Sequence, residues 1–383
     1  MDSNIKPKTV LIDIHNLYRA ETGVRKYTEL LIKIFSNRKD GNYRYVFYPE
    51  PSKTSSFNTF RKKGSLFYRL MAQIDIIVWK QITIPFKAFI IKADIVFFPD
   101  YYPTFWRMKS HKVVMFHDTF FWDTPEHYGR IWLPYFKWIT LQGVKRGASV
   151  MTITNSAKLK IQGILPFEVK VSVISHPHRE MKKIVSETDE ILRSLSLVNK
   201  EYFLHVGVFE KRKSLQVLVK AFDSFLKETK DRNFKLVLVG NPAANKRFND
   251  FPEVVNLIKK LGIKKSVILP GYLSDSDIAK LYKCAQAYIF PSNNEGFGIP
   301  ILEAFEMGCP VITSSQEALV EVLGGAGLSF EMGNHNELSE LMLKLHYNSE
   351  LRQTLIERGS VRLLDFNRNE YLNKMEAYFY SLP

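Results

Sequence analysis

Residues 290–314, FPSNNEGFGIPILEAFEMGCPVITS, constrain the fold more than any other stretch of this chain. They begin at the end of an apolar run, Ala287-Tyr288-Ile289-Phe290, that reads as a buried strand. A loop containing Gly296 and Gly298 follows. A helix is then expected from Pro300 through Glu303 to Met307, stopped by Gly308, before Pro310 opens a second strand at Val311-Ile312-Thr313. Glycines let main chain approach a ligand without interference from a Cβ. The start of the helix offers unpaired amides and the positive end of its dipole, so the place suits an anion. Glu295 and Glu303 flank it, eight positions apart, as suits a ligand carrying both phosphate and hydroxyl groups.

The same rhythm runs through the rest of the sequence. Strands are expected at 9–14, 45–48, 95–98, 113–116, 150–153 and 171–174, and again at 202–206, 234–240 and 267–271. Helices fill most of the gaps, including 24–35, 215–226 and 254–261, with three more at 335–348, 350–364 and 369–381. Residues 16–22 read as a loop, 181–197 as a polar helix, and Glu321 as the start of a helix. Alternation of this kind predicts α/β architecture with doubly wound parallel sheets, whose ligands bind at the carboxyl ends of strands. At 383 residues the chain exceeds the ~250–300 at which one core stops growing, so two domains are expected.

Several polar groups fall at such strand ends. His117-Asp118 ends one strand in the first half. Gly207-Val208-Phe209-Glu210-Lys211-Arg212-Lys213-Ser214 ends another in the second, placing a planar guanidinium beside a point charge where an anionic ligand would lie. Gly23 stands between the first strand's loop and its helix. Asp275 and Asp277 form a D-x-D, but Ser274 precedes them with Asp277 three residues on, which is a helix-capping arrangement, so no metal site is expected. Cys284 and Cys309 have no metal-type spacing, and two cysteines make no disulfide framework, which points to a reducing compartment. His176 and His178 read as linker and cleft lining.

These motifs together resemble the retaining nucleotide-sugar glycosyltransferases of the two-domain GT-B type, glycosyltransferase family 4. Glu295 and Glu303 are similar to the family's E-x7-E signature, 207–214 resembles its G-x-x-E-x-R-K-N segment with Ser214 for Asn, and Thr22-Gly23-Val24-Arg25-Lys26-Tyr27 resembles T-G-[IV]-G-R-Y with Arg25 for the second glycine. The 314–321 segment matches less well, Val320 replacing a proline. The resemblance implies two Rossmann-like domains facing a cleft: an acceptor-binding domain at 1–178, a nucleotide-sugar-binding domain at 179–366, and a helix at 367–383 that returns to the first domain. It implies that Arg212 and Lys213 contact the donor diphosphate and that Gly23 and Gly207 bring main chain near it. Phe297, Gly298 and Ile299 would hold sugar hydroxyls through main chain, Glu303 the ribose, and Leu273 the base. His117 would face the transferred sugar. Glu295 would hydrogen-bond that sugar, and its action as a nucleophile is left open. The implied reaction is hexosyl transfer without a metal cofactor. GDP-mannose is favoured as donor because 271–314 looks most like mannosyltransferases of surface-polysaccharide assembly; UDP-glucose, UDP-N-acetylglucosamine and dTDP-rhamnose stay open. The implied acceptor is lipid-linked or a polysaccharide.

Charge adds a second expectation. Up to residue 178 the chain has 27 Lys+Arg against 13 Asp+Glu, whereas the remainder has 27 against 26. In the first half Arg61, Lys62, Lys63, Arg69, Lys80, Lys87, Lys92, Arg107 and Lys109 alternate with Phe57, Phe60, Phe67, Tyr68, Trp79, Phe86, Phe89 and Trp106. A basic, aromatic-rich surface fits an anionic membrane. No apolar run reaches the ~18 residues of a spanning helix. The expected location is therefore cytoplasmic, peripheral at the inner leaflet. A Rossmann oxidoreductase is disfavoured because no strand ends in G-x-G-x-x-G. A nucleic-acid partner is disfavoured because it leaves the paired glutamates without a task.

Overall fold

The apolar runs form two six-stranded sheets, and every pairing in both is parallel. The computed structural model describes residues 7–19, 23–36, 38, 42–51, 66–129, 132–183, 185 and 187–382, with main chain alone at 66–70 and 127. Two compact units result: Met1–His176 together with Tyr371–Pro383, and Pro177–Glu370.

In the first unit the strands are β1 (Lys8–Asp13), β2 (Tyr43–Tyr48), β3 (Ile95–Phe98), β4 (His111–Phe116), β5 (Ala148–Thr152) and β6 (Val171–Val173). Their spatial order is β2-β1-β3-β4-β5-β6, so the winding reverses between β1 and β3. In the second unit they are β7 (Tyr202–Val206), β8 (Lys235–Val239), β9 (Val267–Gly271), β10 (Ala287–Phe290), β11 (Val311–Ser314) and β12 (Leu328–Phe330). There the order is β12-β11-β10-β7-β8-β9, and the reversal falls between β7 and β10. Residues such as Val113, Val114, Phe203, Leu204, Tyr288 and Ile289 are fully buried, as strands covered on both faces require. Over the second sheet, Leu218, Phe222 and Phe225 of the helix Leu215–Thr229 share one core with Leu338, Met342 and Leu345 of the helix His335–Tyr347.

The last helix, Arg368–Tyr380, joins the first unit from Tyr371 on. Tyr371 and Tyr27 pair through their hydroxyls at 2.8 Å, and Glu376 accepts from Arg38 and from the Tyr45 hydroxyl at 3.0 Å. Phe379 lies edge-on to Phe97 and Tyr43. The return of this helix to the first domain, expected above, is thus built from a hydroxyl pair, a bidentate ion pair and aromatic contacts.

Three local expectations are corrected. Within 16–22, Asn16–Arg19 forms a helical turn rather than loop, and 20–22, including Thr22, lie outside the described residues. Among the described residues of 181–197 the helical elements are a 3-10 turn, Met181–Lys183, and the short helix Glu190–Ser194. Thr188 and Asp189 favour local hydrogen bonds over a continuous helix, which explains the break. Glu321 sits inside the helix Glu317–Leu323, which starts earlier because the Gln316 side chain accepts from the Leu319 amide at 3.1 Å. In the basic first half, Phe57, Phe60, Arg61, Lys62 and Lys63 lie outside the described residues, as do the side chains of Phe67, Tyr68 and Arg69. Lys80 is not part of any surface: it is buried with Trp79, whereas Phe86, Phe89 and Trp106 are exposed.

Candidate active site

The reversal between β7 and β10 brings the two strongest sequence motifs side by side. After β7 the chain passes Gly207 and makes a single 3-10 turn, Lys211–Lys213, closed by Ser214 in a left-handed conformation with φ 52°. After β10 it enters the loop that carries Glu295. Gly207 donates to Val239 O at 2.9 Å, and its carbonyl lies where a Cβ on Gly240 would come within 1.9 Å. Only glycine fits at 240, so this close crossing of the β7 and β8 ends fixes where the basic turn begins.

Glu295 is the hub. Its Oε1 accepts from Lys213 Nζ at 2.5 Å, Arg212 Nη1 at 2.6 Å and Ser292 Oγ at 2.8 Å, while no described group bonds its Oε2. Burial alone would raise this carboxyl, but the Arg212 and Lys213 charges outweigh it and hold the group at about 2. Arg212 also donates to Asn294 O at 3.0 Å and pairs through Nε with Glu210 at 2.6 Å. Lys213 is buried, with Nζ 4.6 Å from the centroid of the Phe290 ring. Burial and the neighbouring Arg212 push its pKa down despite Glu295. Main chain secures the pairing: Arg212 O receives Asn293 N at 2.8 Å and Ser292 Oγ at 3.0 Å, while Ser314 Oγ bonds Ser292 O.

Downstream of Glu295, Phe297 is buried against Phe366, and Gly298 precedes the helix Ile299–Glu306 with φ 109°. A Cβ at 298 would meet Leu319 at 2.7 Å, so the glycine serves packing and a left-handed turn as well as main-chain access. Ile301 N turns back to Gly298 O at 2.9 Å, and Pro300 has no amide hydrogen. The amides of Gly298 and Ile299 are left with no acceptor among the described residues, as an anion-binding helix start requires.

Glu303 is buried on that helix and is not free: Arg179 Nη1 reaches its Oε1 at 2.6 Å, while Nη2 reaches Asp275 Oδ2 at 2.6 Å. Burial would lower the guanidinium's pKa, and the two carboxylates more than restore it. Of the D-x-D acids, Asp275 is thus in an ion pair and Asp277 in the cap, its amide donating to Ser274 Oγ at 3.1 Å. Among the described residues no three His, Cys, Asp or Glu side chains gather as metal ligands would. Leu273, half-buried, ends the turn before that cap.

Arg179, Ser292 and His205 are members of this site that sequence reasoning missed. His205 is buried on β7 and donates from Nδ1 to Ile289 O at 2.9 Å, leaving Nε2 a buried acceptor with no partner among the described residues, beside Gly207. Burial drops its pKa to about 4, so the ring is neutral at ordinary pH. The signal was a histidine inside an apolar strand, immediately before a glycine turn.

In the first unit, His117 follows β4 and its Nε2 donates to Pro99 O at 2.9 Å. Burial lowers its pKa, and Tyr27, Tyr101 and His176 pack around the ring. Gly23 opens the helix Gly23–Phe35, exposed and with nothing within 4 Å of a Cβ position. Tyr27 on that helix links the two, touching His117. His178 belongs to the second unit, where its Nδ1 donates to Phe366 O at 3.0 Å.

A doubly wound pair of sheets with a basic turn and a glutamate-bearing glycine loop at the second reversal defines a GT-B glycosyltransferase architecture. The Anabaena protein HepE, solved in complex with UDP, superposes with a TM-score of 0.69 over 98% of this chain and 100% of its own, at 15% identity. Residues 187–362 match the family model for glycosyl transferases group 1, and this segment belongs to that family. The chain is 25% identical over 259 residues, 67% of its length, to O-antigen chain mannosyltransferase B of Escherichia coli. It is 29% identical over 145 residues, 38% of its length, to the serotype-specific mannosyltransferase WbdA of the same organism. The chain spans less than two thirds of these relatives' own lengths, 66% and 17% respectively.

Proposed function

We propose that this protein transfers a hexosyl group, with mannose favoured, from a nucleoside diphosphate sugar to a lipid-linked or polysaccharide acceptor, with retention and without a metal. The observation that carries the reading is the Arg212–Lys213–Glu295 cluster, three and four residues before the amides of Gly298 and Ile299, which find no acceptor among the described residues. In the proposed step an acceptor hydroxyl oxygen bonds the anomeric carbon as the bond to the β-phosphate oxygen breaks. The electron pair stays on the diphosphate, and a phosphate oxygen takes the acceptor's proton.

Arg212, Lys213 and the two amides meet the charge that grows on the leaving diphosphate, which is electrostatic preorganisation. Glu295 offers Oε2 to a sugar hydroxyl. A carboxylate held near 2 by two cations is a weak base and a weak nucleophile, so the reading assigns it to sugar binding. Glu303 keeps the ribose, with Arg179 orienting it, and Leu273 lies by the base. Gly23 and His117 mark the acceptor-binding unit. Mannose is supported by the names of the two Escherichia coli relatives, and GDP rests on the resemblance of 271–314 to mannosyltransferases.

A thermal-shift screen with GDP-mannose, UDP-glucose, UDP-N-acetylglucosamine and dTDP-rhamnose tests this directly, because a ligand of the native state raises its apparent stability. GDP-mannose is expected to give the largest rise, followed by mannosyl transfer unaffected by EDTA. A larger rise with a UDP sugar moves the donor assignment. Loss of turnover on chelation overturns metal independence, and binding of NADH with no sugar-nucleotide response overturns the whole reading.

A further inference from the structure

One segment of the first unit has apolar side chains on both of its sides, inward in the core and outward in solvent. The helix Leu66–Val78 runs into a π-helical turn, Trp79–Thr83, and on through Ile84–Ile90. Its inward side sets polar groups beside the core residues Trp79, Ile84 and Ala88: Lys80, 2% exposed, is held by Asp13 at 2.6 Å and Asp100 at 2.8 Å, and Gln81 accepts from Thr104 and from the Phe105 amide. Its outward side carries Met71, Ile74, Val78, Ile82, Phe86 and Phe89, spaced three or four apart along one stripe. Ile82, Phe86 and Phe89 are 62%, 64% and 74% exposed. A surface helix normally turns a polar face outward.

Two features say what covers this stripe. Gln81 ties the segment to the loop that carries Trp106, Arg107 and Lys109, all exposed; Trp106 lies tilted against Phe105, which also sits under the Arg146 guanidinium. The loop tied to this segment thus adds an exposed indole and cations to its apolar stripe, the composition of an interfacial surface. Between residues 71 and 92 the one acid is Asp75, and it pairs with His15. Among the described residues no helix is long and apolar enough to cross a membrane.

We propose that the outward face of residues 71–90, with Trp106 and its neighbouring cations, lies in the interface of an anionic lipid bilayer, parallel to its plane. The apolar side chains enter the headgroup–acyl boundary while Arg107, Lys109 and Arg146 meet lipid phosphates. The outward apolar stripe has a reason on this reading: the bilayer receives it, while Trp79, Ile84 and Ala88 pack into the protein core on the other side. This inference stands independently of the donor sugar.

Flotation of the full chain with phosphatidylcholine vesicles, with and without phosphatidylglycerol, tests it. The chain is expected to float with the anionic vesicles, and I82S/F86S/F89S to bind them about tenfold more weakly or less. The donor-induced thermal shift should be unchanged in that variant, which separates this surface from the sugar-nucleotide site. R107E/K109E should lose binding to the anionic vesicles alone. F89W, which keeps the face apolar, should blue-shift its emission only when anionic vesicles are added. Equal flotation of the serine variant, or an F89W spectrum indifferent to lipid, overturns the proposal. So does concentration-dependent self-association of the native chain that the serine variant abolishes while neither floats, which assigns the face to a second copy.

Discussion

Each unit buries a lysine where its strand order reverses, and the surroundings of the two differ in one respect. Lys80, beside the ends of β1 and β3, has two carboxylates, Asp13 and Asp100, with Trp79 Nε1 donating to Asp13 Oδ1 and Asn16 Nδ2 to Asp100 Oδ2. Burial would depress its pKa, but the two acids more than reverse that and raise it. Lys213, between β7 and β10, shares the single carboxylate of Glu295 with Arg212, and its pKa is pushed down. The first arrangement is satisfied from within. The second sets two cations on one oxygen of Glu295, with Glu210 taking the Nε of Arg212, so Lys213 has no carboxylate of its own and an incoming anion can meet it.

Substitution of each lysine should separate these roles. Lys80→Met leaves Asp13 and Asp100 buried without a cation, and urea denaturation should show a loss of about 3–5 kcal/mol. If stability holds and transfer vanishes instead, both reversals are catalytic and the contrast fails. Lys213→Met leaves Glu295 with Arg212 and Ser292, so the fold should persist while kcat/KM for transfer falls about a hundred- to a thousandfold. A stability loss matching that of Lys80→Met, with transfer intact, would make Lys213 structural too. Acid sharpens the comparison further. Glu295 has a folded-state pKa near 2, below its ordinary 4.5, so its contribution is complete above about pH 4.5 and fades as pH falls toward 2. That contribution is on the order of 3 kcal/mol, and stability curves of Glu295→Gln should lack this part of the acid slope.

Much of this was legible in the letters. Apolar runs gave the strands, and the glycine-and-acid loop after β10 with the basic turn after β7 gave the pieces of the second site. Their union was not legible, since Lys213 and Glu295 stand 82 positions apart and meet only because β10 pairs with β7. Arg179 escaped because it lies in a segment read as connecting chain, and its partner Glu303 is 124 positions away. Lys80 misled because a lysine among aromatics reads as solvated until the carboxylates beneath it are seen. The π turn escaped for a related reason: three consecutive inward residues, Trp79, Lys80 and Gln81, match neither helical nor strand periodicity.

The helix that completes the first unit begins its contribution only at Tyr371. During synthesis the other unit, Pro177–Glu370, emerges whole before that segment does, so the half that is started first is finished last. Until then Tyr27, Tyr45 and Phe97 lack their partners, and a nascent chain stalled at residue 370 would present those aromatics to chaperones or to neighbouring ribosomes.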